Sequence, residues 1–569
     1  MRNLKSFQFL GWILVLVLIN VLSVFFHTGI DLTAEKRYTL STSTEILVNS
    51  LDQPMKLTVY MDGDLPAGFK KLADRAEDIS SAFRSMSKGN FVVEFERPGA
   101  GLNDTAKAML FDSLQLMGIN ATNVKAQQKD GEKTEETLVF PGAILSGEKG
   151  QVGIDFLEGQ SNLNGLESLN NAEALMEFKI AKAIMLLKRD APPLVGYLAG
   201  NGQPLDLSVY DLIENVMRKD YYFKMLPIDS VAAIPQDFKA IVIAKPSMPF
   251  SREQRLKIDQ YVLHGGKIIW AIDQLYASMD SLQRSSGSFV AFDQGLELDE
   301  QLFKYGVRIN RDLVQDLESD KVPSVVGNMG GQPQIELLPW PYAPLLRNTS
   351  GHPIAKNLDF ISSSFPQSID TISTPAIKKD ILLTSSSYAR SLQTPALVEW
   401  RSIRTEQDLQ LFNKKEIPVA VLLEGQFGSA FNNRISKEEM EGLSLMGSPY
   451  LAETKSPNNM VVISDGDILL NPVSEQEGPL AMGMNNYTRQ PFANRDFISN
   501  VLFYLTGGQD IIAARSKIFQ LRLIDKAKME NDKFFWQILN MTIPLCLLGC
   551  FYFINALLRK RKYAYSSLS

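Results

Sequence analysis

Two short stretches carry residue types that could do chemistry. In "GYLAGNGQP" (196–204) an apolar run ends in Gly200, Asn201, Gly202 and Gln203. Glycines directly after a strand can bring backbone N–H groups close to a phosphate, but a dinucleotide fingerprint needs a third glycine and a following helix. Here the third position is Leu205, and Pro204 interrupts first. A tight turn at a strand end is therefore the plainer reading, and any ligand or partner there would meet two amides. In "VVISDGDILLN" the carboxylates Asp465 and Asp467 follow a strand and could hold a divalent cation, or could simply belong to an acidic turn.

Other chemistries lack their parts. There is no G-x-x-x-x-G-K-[ST] phosphate loop and no G-x-S-x-G nucleophile elbow. The three histidines, His27, His264 and His352, are scattered, and the two cysteines, Cys546 and Cys550, lie together in an apolar segment. No catalytic residue, metal site or cofactor is expected from this inventory. Net charge is -6, without a basic stripe, so nucleic acid is not an expected partner.

The elements that position these residues follow from hydrophobic period. "MKLTVYM" alternates as a strand, and "GFKKLADRAEDISSAFRSMSKG" carries Phe69, Leu72, Ala76, Ile79 and Phe83 on one helical stripe before Gly89. "NFVVEFERP" returns as a second strand, and "LVFPGAILSGEKGQVGIDFL" reads as a hairpin around Gly147 to Gly150. After "APP" at 191–193, "LVGYLAG", "FKMLPI", "FKAIVIA" and "KIIWAID" read as strands, three of them continuous apolar runs of the doubly buried kind. Between the last two, Ser251 and Gln254 form a capping box for a helix stopped by Gly265-Gly266. Strands alternating with helices predict a doubly wound parallel α/β sheet. Residues 275–375 read as an irregular insertion, followed by three more strands and the helix "NRDFISNVLFYLTGG".

Two segments are not globular. Phe7–Phe26 and Phe534–Leu558 contain 20 and 25 residues without a charge, and each can cross a hydrocarbon core of about 30 Å as a helix. The first is followed by "FFHTGIDL", with no small-x-small cleavage site, so it reads as an uncleaved anchor. Arg2 and Lys5 before it and Arg559 to Lys562 after the second predict both termini in the cytoplasm. Lys526, Lys528 and Lys533 on the other side argue the opposite way. Gln537, Asn540, Thr542 and Asn555 are costly in lipid and are expected to contact a multi-span partner. The expected order is a cytoplasmic start (1–6), a first span (7–27), a first external α/β domain (28–190) and a second (191–509, with the insertion at about 275–375). A juxtamembrane stalk (510–533), a second span (534–558) and a cytoplasmic tail (559–569) complete it.

The motifs "GYLAGNGQP", "AIVIAKPSMPFSREQRLKIDQYVLHGGKIIWAID", "VVISDGDILLN", "NRDFISNVLFYLTGG" and "RSKIFQLRL" stand in an order that resembles the GldG family, gliding-motility-associated ABC-transporter auxiliary proteins of Bacteroidetes. The resemblance covers essentially the whole chain. It implies a two-pass inner-membrane protein with a large periplasmic region, whose second domain is a Rossmann-like sheet similar to class I glutamine amidotransferases without their catalytic cysteine. It also implies a permease partner, GldF, and through it a cytoplasmic ATPase, GldA, with a further envelope partner possible in the periplasm. Family members carry something close to Gly-His-Gly-Glu at the glycine turn. Asn201 and Gln203 replace the His and Glu, which removes acid-base capacity there and leaves hydrogen bonding. A subunit that binds a small envelope ligand, or a metal-dependent hydrolase using Asp465 and Asp467, are the alternatives.

Overall fold

The computed structural model describes residues 39–127, 134–157, 165–285, 287–329, 332–400, 403, 405–516 and 533–564. The first expected span, 7–27, and most of the expected stalk lie outside the described residues. The chain divides into two units, Met1–Ile518 and Phe519–Ser569.

The larger unit is a mixed α/β protein with several sheets. Its N-terminal sheet has strands β1 (Met55–Val59), β2 (Phe91–Phe95), β3 (Gly142–Gly147) and β4 (Gly150–Asp155) in the order β2-β1-β3-β4. β1 and β2 are parallel because helix α1 (Ala67–Met86) carries the chain back between them, and β3-β4 is the expected hairpin. Phe69, Leu72, Ala76, Ile79 and Phe83 of α1 are all buried. They share one core with Leu57, Phe91 and Leu145 of the sheet and with Ile180 and Ile184 of α2 (Gly165–Lys188).

A second, seven-stranded sheet begins with β5 (Leu194–Ala199), β6 (Tyr222–Pro227) and β7 (Phe238–Ala244). After helix α3 (Arg252–Leu263) come β8 (Lys267–Ala271), then a long hairpin, β9 (Ser319–Met329) and β10 (Gln332–Leu346). β11 (Ile377–Thr384), β12 (Pro418–Gly425) and β13 (Asn458–Ile463) complete the sheet, in the order β11-β12-β13-β8-β7-β5-β6. Five neighbouring strands, β6, β5, β7, β8 and β13, are parallel. The sheet is not parallel throughout, as the alternation predicts: β12 runs antiparallel to β13 and to β11. Among the described residues the one helix between β11 and β12, Glu406–Gln410, has five residues, too few to carry the chain back for a parallel pairing. The stretch 275–375 also differs from its irregular reading, since it contains β9, β10 and several shorter strands. Prolines at 323, 333, 339, 341 and 344 hide the period-two pattern there.

Both faces of the large sheet are buried, which explains its unbroken apolar strands. Alternate residues Ile241, Ile243, Ile268 and Trp270 pack with Ile258, Tyr261 and Val262 of α3. Their neighbours Val242, Ala244, Ile269 and Ala271 pack with Phe497, Val501 and Leu502 of α4 (Asn494–Phe503) and with the π-helical segment Leu212–Met217. Ser251 caps α3 and Gln254 closes the box, as the sequence predicts. The smaller unit is described by one helix, α5 (Lys533–Ala564).

Candidate functional site

In an open parallel sheet, ligands collect beyond the carboxyl ends of the strands, where the strand order reverses. β5 steps outward to β6, and the chain then returns to β7 on the other side of β5. That reversal places the glycine turn, which follows β5, beside the loop that follows β7.

The turn is packed shut. Asn201 and Gln203 are only 2% and 6% exposed. The Asn201 backbone N–H donates to Gln203 Oε1 at 2.7 Å, and Asn201 Nδ2 donates to Pro249 O (3.1 Å) and Gln254 Oε1 (2.9 Å). Its carbonyl accepts from the N–H groups of Ser247 (2.9 Å) and Met248 (3.1 Å), and Ser247 Oγ donates to Gly202 O at 3.0 Å. Both glycines are required: Gly202 has φ +70°, and a Cβ on it would lie 2.2 Å from Ser247 Oγ. A Cβ on Gly200 would lie 2.9 Å from Ile228 Cγ2. The two amides thus brace the turn against α3 and the loop after β7. Two buried atoms, Asn201 Oδ1 and Gln203 Nε2, have no partner among the described residues.

The same loop after β7 builds a second centre. Lys245, directly after β7, meets Asp467 through its ammonium and lies 3.2 Å from Asp273 Oδ2. Asp273 follows β8, and Asp465 and Asp467 follow β13, so three adjacent parallel strands deliver one cation and three carboxylates to one place. Asp465 Oδ1 accepts from Asp467 N (2.8 Å) and its Oδ2 from Ser364 N (2.7 Å), while Asp273 Oδ1 accepts from Gly466 N (2.6 Å). Gly466 sits between the two aspartates because a Cβ there would come within 2.6 Å of Lys245 Cβ and 2.9 Å of its Cα. Lys245 itself is held at φ +45°, a left-handed conformation costly for a side chain with a Cβ.

Electrostatics fix the protonation states. Burial alone would lower the Lys245 pKa, but Asp467 and Asp273 outweigh it and raise the value, so the side chain stays an ammonium. Burial pushes the Asp465 carboxyl well above the usual range, and neighbouring Asp467 and Asp273 push it further. Asp273 is also raised by burial, against the pull of Lys245. An ammonium held this firmly is a poor nucleophile and a poor base. His264 is occupied at the end of α3, its Nδ1 lying 2.8 Å from Gln260 O, and His352 stands against Tyr504. Among the described residues no group of three or more His, Cys, Asp or Glu side chains is arranged to hold a metal ion.

Lys245 and Asp467 open onto a cavity of about 480 Å³, whose other walls include Trp340, Ser364, Asn486 and Tyr487. None of the four residues of the glycine turn lines it. A second cavity, about 960 Å³, lies between the N-terminal sheet region (Leu116, Asn120, Gly153) and the large-sheet region (Arg218, Phe492). The sequence thus points to Asp465 and Asp467 but misses Lys245 and Asp273. The missed signal is a charge placed directly after an unbroken apolar strand, in "AIVIAK" and "IIWAID".

In α5, Gln537–Arg559 is the one helix among the described residues long and apolar enough to cross a membrane. At about 100° per residue, Gln537, Asn540 and Asn555 fall within about 60° of one another, and Thr542 lies about 140° away from Gln537. The Thr542 hydroxyl donates to Ile538 O at 2.6 Å, within its own helix.

These features define a class: an α/β unit with a ligand-sized polar cavity, on a chain that also carries an apolar helix. The chain belongs to the family described as ABC-type uncharacterized transport system, which matches residues 192–501. Residues 34–146 match a domain of unknown function (DUF7088). No curated protein matches the chain. Among solved structures, the "mmIFT52 N-terminal domain" is similar over 55% of this chain and 98% of its own, at 12% identity and a TM-score of 0.30. That likeness is too loose to carry an argument. Family membership supports an accessory role in an ABC transport system, in association with transporter components, and fits a non-enzymatic subunit. With the apolar helix it supports membrane association.

Proposed function

We propose that the chain is a non-catalytic, membrane-anchored periplasmic subunit of the GldG type, needed for gliding motility. It joins a permease of the GldF kind, and through it a GldA-like ATPase, to an envelope partner or ligand. Both termini are cytoplasmic, the segments 7–27 and 534–558 cross the inner membrane, and the second external domain is the glutamine amidotransferase-like, Rossmann-like one. The observation that carries the reading is the family match over 192–501 on a chain ending in an apolar helix with an amide stripe. Gln537, Asn540 and Asn555 on that stripe face the permease; Thr542, already bonded to Ile538 O, contributes less. Asp465 and Asp467 act with Lys245 at the ligand end of the sheet. Gly200, Asn201, Gly202 and Gln203 support that end through Ser247.

Co-purification tests this. A tagged full chain in mild detergent is expected to bring down a multi-span membrane protein and a nucleotide-hydrolysing subunit, and isolation of the chain alone contradicts the reading. A second reading, a binding subunit for a small envelope ligand, draws on the cavity of about 960 Å³ between the two sheet regions. A ligand held there would raise the melting temperature of the full chain. The hydrolase alternative has less support, because Lys245 already neutralises Asp467. Full motility in an Asp465→Asn, Asp467→Asn variant would dispose of it.

A further inference from the structure

The cavity beside Lys245 is a built site with unused hydrogen-bonding capacity. Its volume, about 480 Å³, lies within the roughly 300–1,000 Å³ typical of small-molecule sites. Trp340, only 2% exposed, stands in the wall with its indole N–H closed off, so it shapes the space and does not offer a donor to it. The hydroxyls of Ser362 and Ser364, the Asn486 amide and the Tyr487 hydroxyl also line the space and bond to no described residue. Tyr487, 44% exposed overall, is also in the lining and brings an aromatic ring beside these polar groups.

Charge narrows the ligand class. The lining carries two cations, Lys245 and Lys321, against three carboxylates, Asp280, Asp320 and Asp467, and Lys245 is already engaged by Asp467 and Asp273, so the wall has no excess of positive charge to select a phosphate or carboxylate. Asp320, 9% exposed, stands beside Lys321 in the wall, so neither sign of charge dominates there. What matches a mixture of free donors, free acceptors, an aromatic face and a neutralised ion pair is a ligand whose groups donate and accept at once. We propose that this cavity binds an uncharged, polyhydroxylated ligand, a short glycan segment, with one sugar ring against Tyr487 and hydroxyls on Ser364, Asn486 and the Lys245–Asp467 pair. The proposal rests on the reading of the chain as a transporter subunit that engages an envelope ligand, and it names that ligand's chemistry.

The test is calorimetric titration of the full chain in nanodiscs with chitotetraose and maltotetraose as neutral probes, and glucose 6-phosphate as the anionic one. Saturable binding of a neutral probe is expected, weakened about tenfold or more in Tyr487→Ala and in Ser364→Ala, each with an unchanged melting temperature. The absence of saturable binding to a folded wild-type chain overturns the proposal, as does unchanged affinity in both variants or tighter binding of glucose 6-phosphate. The permease seen in the same preparation separates the two claims: present without sugar binding, it leaves the proposed function standing and removes this inference.

Discussion

The glycine turn and the Lys245 cavity stand at the same edge of the same sheet, joined by residues 245–248, yet they are opposites. The turn has the sequence of a binding loop, but Asn201 and Gln203 are buried and bonded to the protein. The cavity has almost no sequence motif, yet it is open and several of its polar groups are unused. Glycine permits close approach, and whether the approaching body is a ligand or another loop depends on what the tertiary fold places there. Here the Asn201 N–H is taken by Gln203, and its carbonyl by the N–H groups of Ser247 and Met248.

The comparison breaks most visibly if Lys245 is removed. Lys245→Met leaves Asp467, Asp273 and Asp465 together without a counter-charge, and the expected loss of stability is about 3 kcal/mol, read from the melting of the full chain in detergent. A loss below about 1 kcal/mol would mean that the cluster relaxes by taking up protons or water instead. Gly466→Ala comes next. Its new methyl would press on Lys245, at an expected cost of about 2 kcal/mol, with the cavity distorted and not merely emptied. Asn201→Ala, which removes the bonds to Pro249 and Gln254, is expected to cost about 1–2 kcal/mol, and its melting temperature should fall without affecting cavity ligands.

The last expected effect is a slope and not a drop. Because burial raises its pKa, folded Asp465 holds its proton more tightly than the unfolded chain does. Its contribution to stability is therefore fully present below the ordinary Asp value, about 4, and is lost as pH rises through the folded value. Asp465→Asn should lack this component. The stability difference between wild type and variant should shift in the variant's favour as pH rises from 4, which melting curves over that range would show.

Local patterns made much of the frame legible in advance. The stripe Phe69 to Phe83, the Ser251–Gln254 box and the apolar strands "FKAIVIA" and "KIIWAID" all act within a few residues, where period and capping decide the outcome. The hairpin β9-β10 was hidden because its prolines suppress strand alternation. Lys245 and Asp467 stand 222 positions apart, and no local rule pairs them. Only the parallel register of β7, β8 and β13 brings their loops together. The glycine turn was legible as a turn, while its occupancy by Ser247 depended on the strand reversal between β5 and β7.

Hydrogen exchange of the full chain with and without chitotetraose tests the contrast most directly. Slowed exchange at 362–365 and 484–487, with 200–203 unchanged, is the predicted result. Slowing at 200–203 with the cavity segments unchanged, or no slowing in any of these segments, would contradict it.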